Sequence, residues 1–141
     1  AGLSSVRRSA GLPAAGTQVW LGDSMGEMAA YYALADLAFI GGSLLPLGGQ
    51  NLIEAAACAC PVLVGPHTFN FLQATEDALK AGAAKRVADS NALAAAVNGL
   101  LAEKTHLSAM RSAAGCFAAA HQGATQRTLD FIQQQTGRAG R

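Results

Sequence analysis

The stretch FIGGSLLPLGGQNLIEAAACACPVLVG, residues 39–65, carries the pattern that decides the fold. It begins with the end of an apolar run, continues through a loop rich in glycine, and then reads as a helix that Pro61 stops before a second apolar run. Strand, helix and strand in this order predict a β-α-β unit with two parallel strands. The helix, residues 51–60, is apolar except for Asn51 and Glu54 in its first turn.

The same alternation of apolar runs and helical stretches continues on both sides of this unit. The predicted strands are residues 18–22, 36–42, 61–65 and 83–88, the last at an edge of the sheet. The predicted helices are one starting near Ser24, then 51–60, 68–82 ending at Gly82, 91–104 capped by Ser90, about 107–121, and 124–135. This pattern predicts an α/β fold, a Rossmann-like parallel sheet flanked by helices.

The predicted sheet is small, because a doubly wound domain usually has about five or six strands. We therefore expect residues 1–141 to form the later, C-terminal part of one domain whose first strands precede the chain. The Gly- and Ser-rich residues 1–16 are expected to be loosely structured, with the natural neighbours of Arg7 and Arg8 lying upstream. Residues 136–141 are expected to form a frayed tail.

Composition excludes several classes of function. Ten basic and nine acidic residues nearly cancel, so we expect no nucleic-acid partner and no attraction to an anionic membrane surface. Cys58, Cys60 and Cys116 stand in alanine-rich surroundings and are expected to be buried, reduced thiols of a cytosolic protein. A C-x-C pair without a nearby His is a poor zinc site, so we expect no metal and no cofactor. No apolar run approaches the roughly 18 residues of a spanning helix, and the start lacks the hydrophobic stretch of a signal peptide, so we expect a soluble chain.

Two polar corners follow predicted strands, at the edge where an open parallel sheet binds ligands. The first corner, residues 22–27, contains Ser24 and Glu27 at the spacing of a capping box. This spacing alone favours capping of the next helix over ligand contact. Asp23 is an alternative cap.

The second corner, residues 41–54, repeats the spacing with Asn51 and Glu54. Its glycine loop is longer than a turn requires and lets backbone N–H groups approach a phosphate. Glu54 is expected close to the protein body, where a carboxylate needs donors such as sugar hydroxyls. Capping and ligand binding are both open here. The glycines match neither a Walker loop nor the G-x-G-x-x-G motif.

The three histidines form no recognisable catalytic group. His67 follows Gly65 and Pro66 at the same edge of the sheet, and both a site role and a structural role are open for it. His106 and His121 lie in predicted helices and are expected to be surface or structural residues. No Ser-His-Asp or Cys-His grouping is present, so we predict no catalytic residue in this chain.

Three stretches together resemble a known family: LGDSMGEM, FIGGSLLPLGGQNLIEA and PVLVGPHTFNF, in this order and spacing. They resemble the C-terminal domain of bacterial 3-deoxy-D-manno-octulosonic acid (Kdo) transferases, from about Arg7 to Ile132. The resemblance implies a membrane-associated glycosyltransferase of GT-B architecture, with two Rossmann-like domains facing a cleft. Such an enzyme transfers Kdo from CMP-Kdo to a lipid A precursor in lipopolysaccharide biosynthesis, at the cytoplasmic face of the inner membrane of Gram-negative bacteria.

The resemblance also implies which residues bind the CMP-Kdo donor. Glu54 would accept hydrogen bonds from the ribose hydroxyls, Asn51 with the backbone of Gly48 and Gly49 would lie near the phosphate, and residues 24–27 would contact the cytidine and phosphate side. The implied donor-binding residues are Ser24, Met25, Gly26, Glu27, Gly42, Ser43, Gly48, Gly49, Gln50, Asn51 and Glu54.

In this family the membrane anchor, the acceptor groove and the proposed general base lie in the N-terminal domain, which we expect upstream of this chain. The resemblance therefore implies a fragment that binds donor without transferring sugar. Two positions depart from the family pattern. Ala55 stands where Pro is common, which leaves the helix start intact, and Gln50 stands where His is common. Because Gln does not titrate near neutral pH, we expect no catalytic role at position 50.

Two other functions are compatible with the residues. One is a GT-B donor domain for another nucleotide sugar, such as a UDP sugar. The other is a non-catalytic Rossmann-like interaction module, in which both polar pairs are only helix caps. Preference for CMP over UDP distinguishes the Kdo transferase from the first, and any nucleotide affinity that depends on Glu54 distinguishes it from the second.

Overall fold

The computed structural model describes residues 2–121, 129 and 131–133, in which helices and strands alternate as predicted. The strands are β1 Ser5–Arg7, β2 Val19–Leu21, β3 Ala38–Phe39, β4 Val62–Val64 and β5 Ala84–Arg86. The α-helices are α1 Met28–Leu34, α2 Ile53–Ala57, α3 Leu72–Lys80, α4 Ser90–Ala102 and α5 Lys104–His121. Two 3-10 helices cover Arg8–Ala10 and Phe69–Phe71.

The described strands pair in parallel and form two sheets. β1 pairs with β2, and Val6 lies opposite Trp20. The second sheet has the order β3-β4-β5, so that β5 is at an edge, as the sequence predicts. The predicted parallel α/β architecture is confirmed. In the second sheet the carboxyl ends of all three strands lie at one edge, where open parallel sheets bind ligands.

The core is built around β4, the central strand of the second sheet. Val62, Leu63 and Val64 are each at most 1% exposed. Successive side chains of a strand point to opposite faces, and accordingly Val62 and Val64 belong to one apolar cluster and Leu63 to another. The first cluster includes fully buried Ala55 and Ala56 of α2, whose small side chains let this helix lie close to its neighbours.

Two helices end in the same hydrogen-bonded motif, in which a left-handed residue follows the helix. After α3 this residue is Gly82, with φ +73°, as the sequence predicts. After α2 it is Ala59, with φ 52°, and Cys60 N–H donates to the Ala55 carbonyl at 3.0 Å. The helix predicted at 51–60 therefore ends at Ala57, before Pro61 can act on it.

Other predicted helix boundaries need correction. Ser90 is not the cap of α4 but its first residue, because Asp89 Oδ1 accepts from the Ala92 N–H at 2.8 Å. α5 begins at Lys104, three residues before the predicted start. The helix predicted at 124–135 and the tail predicted at 136–141 lie outside the described residues, apart from helical positions 129 and 131–133.

The opening segment is more ordered than predicted. Residues 1–16 were expected to be loose, but they contain β1 and the following 3-10 helix. Ser4 extends the pairing of β1 with β2, because its backbone N–H donates to Gln18 Oε1 at 3.1 Å and its hydroxyl accepts from the Gln18 N–H at 3.0 Å. A strand of three residues shows too little periodicity for the sequence to reveal it.

The cysteines occupy three different environments. All three are free thiols; Cys60 is buried, Cys58 is half-buried and Cys116 is exposed, so the expectation of burial is wrong for Cys116. Within the described part of the chain, no cluster of three or more His, Cys, Asp or Glu side chains is arranged to hold a metal. In the same part, none of the helices combines the length and apolar character needed to cross a membrane.

A buried contact ties the loop after β3 to the end of β4. The Ser43 hydroxyl donates to the Ile40 carbonyl at 2.5 Å and accepts from the Gly65 N–H at 2.8 Å. The Ser43 carbonyl accepts from the His67 N–H at 2.9 Å. A Cβ atom on Gly65 would lie 2.2 Å from that carbonyl oxygen, so the two segments approach as closely as only glycine permits.

We predict that Gly65→Ala lowers the free energy of unfolding by about 1–3 kcal/mol or more, because the clash is with backbone that has no rotamer to change. Gly99→Ala is the control: it lies inside α4 with open space around it, and should raise stability by about 0.5–1 kcal/mol. Urea denaturation measures both. A Gly65→Ala chain as stable as the wild type would contradict the described contact.

Candidate functional site

A cleft of ≈400 Å³ lies beside the carboxyl end of β3, between α1 and the start of α2. Its size is within the range of about 300–1,000 Å³ typical of small-molecule sites. The residues that line it are Met28, Tyr32, Phe39, Ile40, Gly41, Gln50, Asn51 and Glu54. Of the predicted donor-binding residues, Gln50, Asn51 and Glu54 are therefore brought together at one cleft.

The polar pair of the second corner does not form a reciprocal capping box. Asn51 Oδ1 accepts from the Ile53 N–H at 3.0 Å, which closes the start of α2. Asn51 Nδ2 donates to Glu54 Oε1 at 3.2 Å, and the Glu54 side chain is exposed to the cleft. Asn51 thus serves the helix and orients Glu54, while Glu54 keeps acceptor capacity for a ligand.

The glycine loop is closed on itself more tightly than the sequence suggests. Gly42, Gly48 and Gly49 all have positive φ, and the Gly49 N–H donates to the Gly42 carbonyl at 3.2 Å. Gly48 and Gly49 are buried, and Asn70 Nδ2 donates to the carbonyls of Leu47 at 3.2 Å and Gly49 at 3.4 Å. The Gly49 N–H is therefore used inside the loop, and the expected approach of the Gly48 and Gly49 backbone to the phosphate stays a prediction.

Two further predicted site residues lie away from the cleft. Ser43 is fully buried and its hydroxyl bonds to Ile40 and Gly65, so its side chain is used within the fold, and its place among the donor-binding residues stays a prediction. Gly42 lines a separate apolar groove of ≈480 Å³ beside Leu44, Leu45 and the start of α4. Gly42 is thus not among the residues that line the cleft, and its part in donor binding stays a prediction.

The first corner forms no capping box either. α1 begins at Met28, not near Ser24, and no side chain caps it. The Ser24 hydroxyl donates to the Glu27 carboxylate. Asp23 is not a cap, because it accepts from the backbone N–H of Ser9 at 2.9 Å and from the Ser9 hydroxyl at 2.7 Å. Ser24, Met25 and Gly26 are exposed and are not among the residues that line the cleft, although Met28, close to them in the sequence, is.

Charged side chains fasten this corner to the opening segment. Arg8 Nη2 lies 2.9 Å from Glu27 Oε1, and Arg7 Nη1 lies 3.8 Å from Asp23 Oδ2. Both arginines therefore have partners within this chain, and the expectation that their segment has further neighbours upstream stays a prediction. Hydrogen bonds from Ser9 lower the pKa of Asp23. The hydrogen bond from Ser24 lowers the pKa of Glu27 most, and Arg8 lowers it further against the opposing effect of burial.

The structure adds apolar and aromatic residues that sequence reasoning missed. Met28 and Tyr32, one helical turn apart on α1, form one wall of the cleft, and Phe39 of β3 contributes to its floor. Burial raises the pKa of Tyr32, and the Glu54 carboxylate raises it further. The i, i+4 spacing of Met28 and Tyr32 was the available signal, but it equally fits an ordinary core-facing stripe.

The histidines lie outside the cleft. His67 is half-buried in a neighbouring depression of ≈390 Å³ that also contains Glu76 and Arg86. There Arg86 Nη2 lies 2.7 Å from Glu76 Oε1 and Arg86 Nη1 donates to the Gly65 carbonyl at 3.1 Å, so this arginine fastens the loop that holds His67. His106 is exposed on α5, and His121 Nδ1 lies 2.9 Å from the Phe117 carbonyl oxygen.

We predict that acid weakens the first corner. Because the folded-state pKa values of Asp23 and Glu27 lie below their ordinary values of 3.8 and 4.5, their stabilisation is complete above those values and is lost as the pH falls through the folded-state values. Melting temperatures measured between about pH 6 and pH 3 should fall less in Glu27→Gln than in the wild type, and least in Asp23→Asn/Glu27→Gln. Equal acid-induced losses in all three chains would contradict this assignment.

Comparison with known proteins identifies relatives along nearly the whole chain, although no protein-family model matches it. The chain is 52% identical over 139 residues to 3-deoxy-D-manno-octulosonic acid transferase of Bordetella pertussis, a match that covers 97% of this chain and 32% of the relative. It is 39% identical over 130 residues to the transferase of the same name from Haemophilus influenzae, covering 91% of this chain and 30% of the relative. The chain thus spans about a third of the length of these curated relatives.

A solved structure has the same fold. The crystal structure of the C-terminal CMP-Kdo binding domain of WaaA from Acinetobacter baumannii matches with a TM-score of 0.76 and 35% sequence identity, over 82% of this chain and 61% of that chain. Sequence and fold therefore agree on one assignment. The chain belongs to the family of 3-deoxy-D-manno-octulosonic acid transferases, as a counterpart of their C-terminal domain.

Proposed function

We propose that this chain is the donor-binding part of a Kdo transferase and that the cleft between α1 and α2 receives the nucleotide of CMP-Kdo. The observation that carries the proposal is the position of Asn51 and Glu54, which meet in a cleft at the carboxyl end of β3. This is the edge where a Rossmann-like sheet binds nucleotides. The likeness to a CMP-Kdo binding domain supports the same ligand.

Charge decides which part of the nucleotide Glu54 contacts. Glu54 is an exposed carboxylate, which accepts hydrogen bonds and repels a phosphate. Glu54 is therefore assigned to the ribose hydroxyls, and the hydrogen bond from Asn51 orients its carboxylate. Gln50, which has both a donor and an acceptor, lines the same cleft and is assigned to polar atoms of the donor.

The aromatic and apolar wall suits the flat part of the ligand. Met28, Tyr32 and Phe39 give the cleft a surface on which a pyrimidine base packs. The exposed residues Ser24, Met25 and Gly26 precede Met28 of the cleft in the chain, and we assign their backbone groups to the base and the phosphate. In this arrangement the first corner and α1 form one wall, and the start of α2 forms the other.

The residues of the cleft bind the leaving group rather than activate the acceptor. Displacement of CMP from Kdo requires stabilisation of the departing phosphate and, on the opposite face, a base for the acceptor hydroxyl. We assign no catalytic base to this chain, since Glu54 is committed to Asn51 and the ribose. The base, the binding of the lipid A precursor and the association with the inner membrane are assigned to the rest of the parent protein, which acts in lipopolysaccharide biosynthesis at the cytoplasmic face.

We predict that CMP binds at this cleft in preference to UDP. The chain has three methionines, so labelled methyl groups report on three sites: Met25 at the corner, Met28 in the cleft and Met110 in the core at 5% exposure. CMP titration followed by NMR should shift Met28 and Met25 and leave Met110 in place. Preference for UDP would favour another nucleotide sugar, and the absence of any response would reject the proposed function.

We also predict that Glu54→Gln weakens CMP binding about tenfold, because a hydrogen bond to a charged group contributes more than one to a neutral amide. Glu103→Gln, at the end of α4, is the matched control and should bind CMP normally. Isothermal titration and thermal melts separate binding from stability. A Glu54→Gln chain that binds CMP like the wild type but melts at a lower temperature would support a purely capping role.

A further inference from the structure

A cluster of polar side chains joins the opening segment to the first corner. Arg8 Nη2 donates to Glu27 Oε1 at 2.9 Å, and the Ser24 hydroxyl donates to the other oxygen of the same carboxylate. These three residues, Arg8, Glu27 and Ser24, are named the clasp. Arg8 and Glu27 are about one-third exposed, so the contact is partly screened from solvent. The clasp therefore bridges from the segment after β1 to the residue before α1.

Ser9 and Arg7 hold the first corner at Asp23, but the residues between Asp23 and α1 have little besides the clasp to hold their shape. Gly26 has φ +81°, Met25 is 97% exposed, and the Glu27 position caps α1 without a side-chain hydrogen bond. α1 itself has seven residues, and none of them is fully buried. Because so little of this helix is buried, its position depends on the packing of Tyr32 against the core and on the attachments at its ends. At its N-terminal end the attachment is the clasp.

The start of α1 determines one wall of the cleft. Met28 is the first residue of the helix and follows Glu27 directly, and Tyr32 lies one turn further on the same face. A displacement of Glu27 therefore moves both side chains together. Tyr32 packs against the core cluster and limits how far the helix can move, so a change at the corner is expected to tilt the wall rather than detach it.

We propose that Arg8 is a positioning residue of the donor cleft: through Glu27 it holds the first corner and with it Met28 and Tyr32, without touching the donor. Both oxygens of Glu27 already accept hydrogen bonds within the chain, so Glu27 also acts by position. The effect of Arg8 on nucleotide affinity rests on the proposed function. Its effect on the shape of the corner does not.

Arg8→Ala in the 141-residue chain tests this proposal. With labelled methionine methyl groups, the signals of Met25 and Met28 should shift or broaden while Met110 stays, and the Kd for CMP should rise about tenfold. Glu76→Ala is the matched control, since it breaks another partly exposed ion pair, with Arg86 at 2.7 Å, on α3 and outside the lining of the cleft. It should leave the Met25 and Met28 signals and the CMP affinity unchanged.

A charge exchange separates positioning from general stabilisation. Arg8→Glu alone should perturb both methyl signals, and Arg8→Glu combined with Glu27→Arg should restore them and most of the CMP affinity. If Arg8→Ala does not fold, Ser24→Ala removes the hydroxyl contact alone and should still shift Met25 and Met28.

Three outcomes have a definite meaning. Unchanged Met25 and Met28 signals in Arg8→Ala overturn the proposal, and loss of CMP affinity without any change of these signals overturns it in favour of direct contact between Arg8 and the ligand. A wild-type chain that does not bind CMP refutes the proposed function, and the methyl signals then decide the role of the clasp by themselves.

Discussion

The close approach of Gly65 to Ser43 is the constraint on which the site depends. Two strands of a parallel sheet only place their carboxyl ends near one another; they do not determine the path of the loop between β3 and α2. That path is determined by the Ser43 side chain, which bonds to Ile40 and Gly65 in a fully buried position. From Ser43 the loop runs to the cleft, where Asn51 lies just before α2 and Glu54 lies in its first turn.

The two walls of the cleft are held by different kinds of interaction. The α2 side depends on buried hydrogen bonds between neutral groups, which salt and pH affect little. The α1 side depends on the partly exposed pair of Arg8 and Glu27, which salt screens and acid removes. The α1 wall is therefore held less firmly than the α2 wall. Its side chains, Met28 and Tyr32, are those best able to adjust to a ligand.

The sequence predicts well those features that arise from neighbouring residues. The strand, glycine loop, helix and strand of residues 39–65 are all found, because apolar runs and glycines act locally. The S-x-x-E and N-x-x-E spacings were ambiguous for a physical reason: the two side chains of each pair reach each other as easily as they reach backbone N–H groups. In both corners they bond to each other, and α1 consequently begins after Glu27.

Features that depend on distant residues were not visible in the sequence. The pairing of Arg8 with Glu27 joins the segment before β2 to the segment after it. In the same region, β1 is defined as a strand by its pairing with β2. The burial of Ser43 likewise depends on its contact with Gly65, which directly follows β4 and is distant in the sequence. The resemblance to a family placed Ser43 in the donor site because it lies within the motif; the structure adds that its hydroxyl bonds within the fold, which the motif alone does not reveal.

Charge balance limits what this chain does alone under the proposed function. Among the described residues that line the cleft, none is Lys or Arg, and the one carboxylate, Glu54, opposes an anionic ligand. The nearby Arg8 is held by Glu27, and the Gly49 N–H is held by Gly42. Under the proposed function, the ribose and the base are bound by residues that line the cleft. The phosphate charge depends mainly on the backbone groups assigned to it and on cations from outside this lining. Under the proposed function, a cleft with this lining would therefore recognise the nucleoside of the donor more strongly than its phosphate.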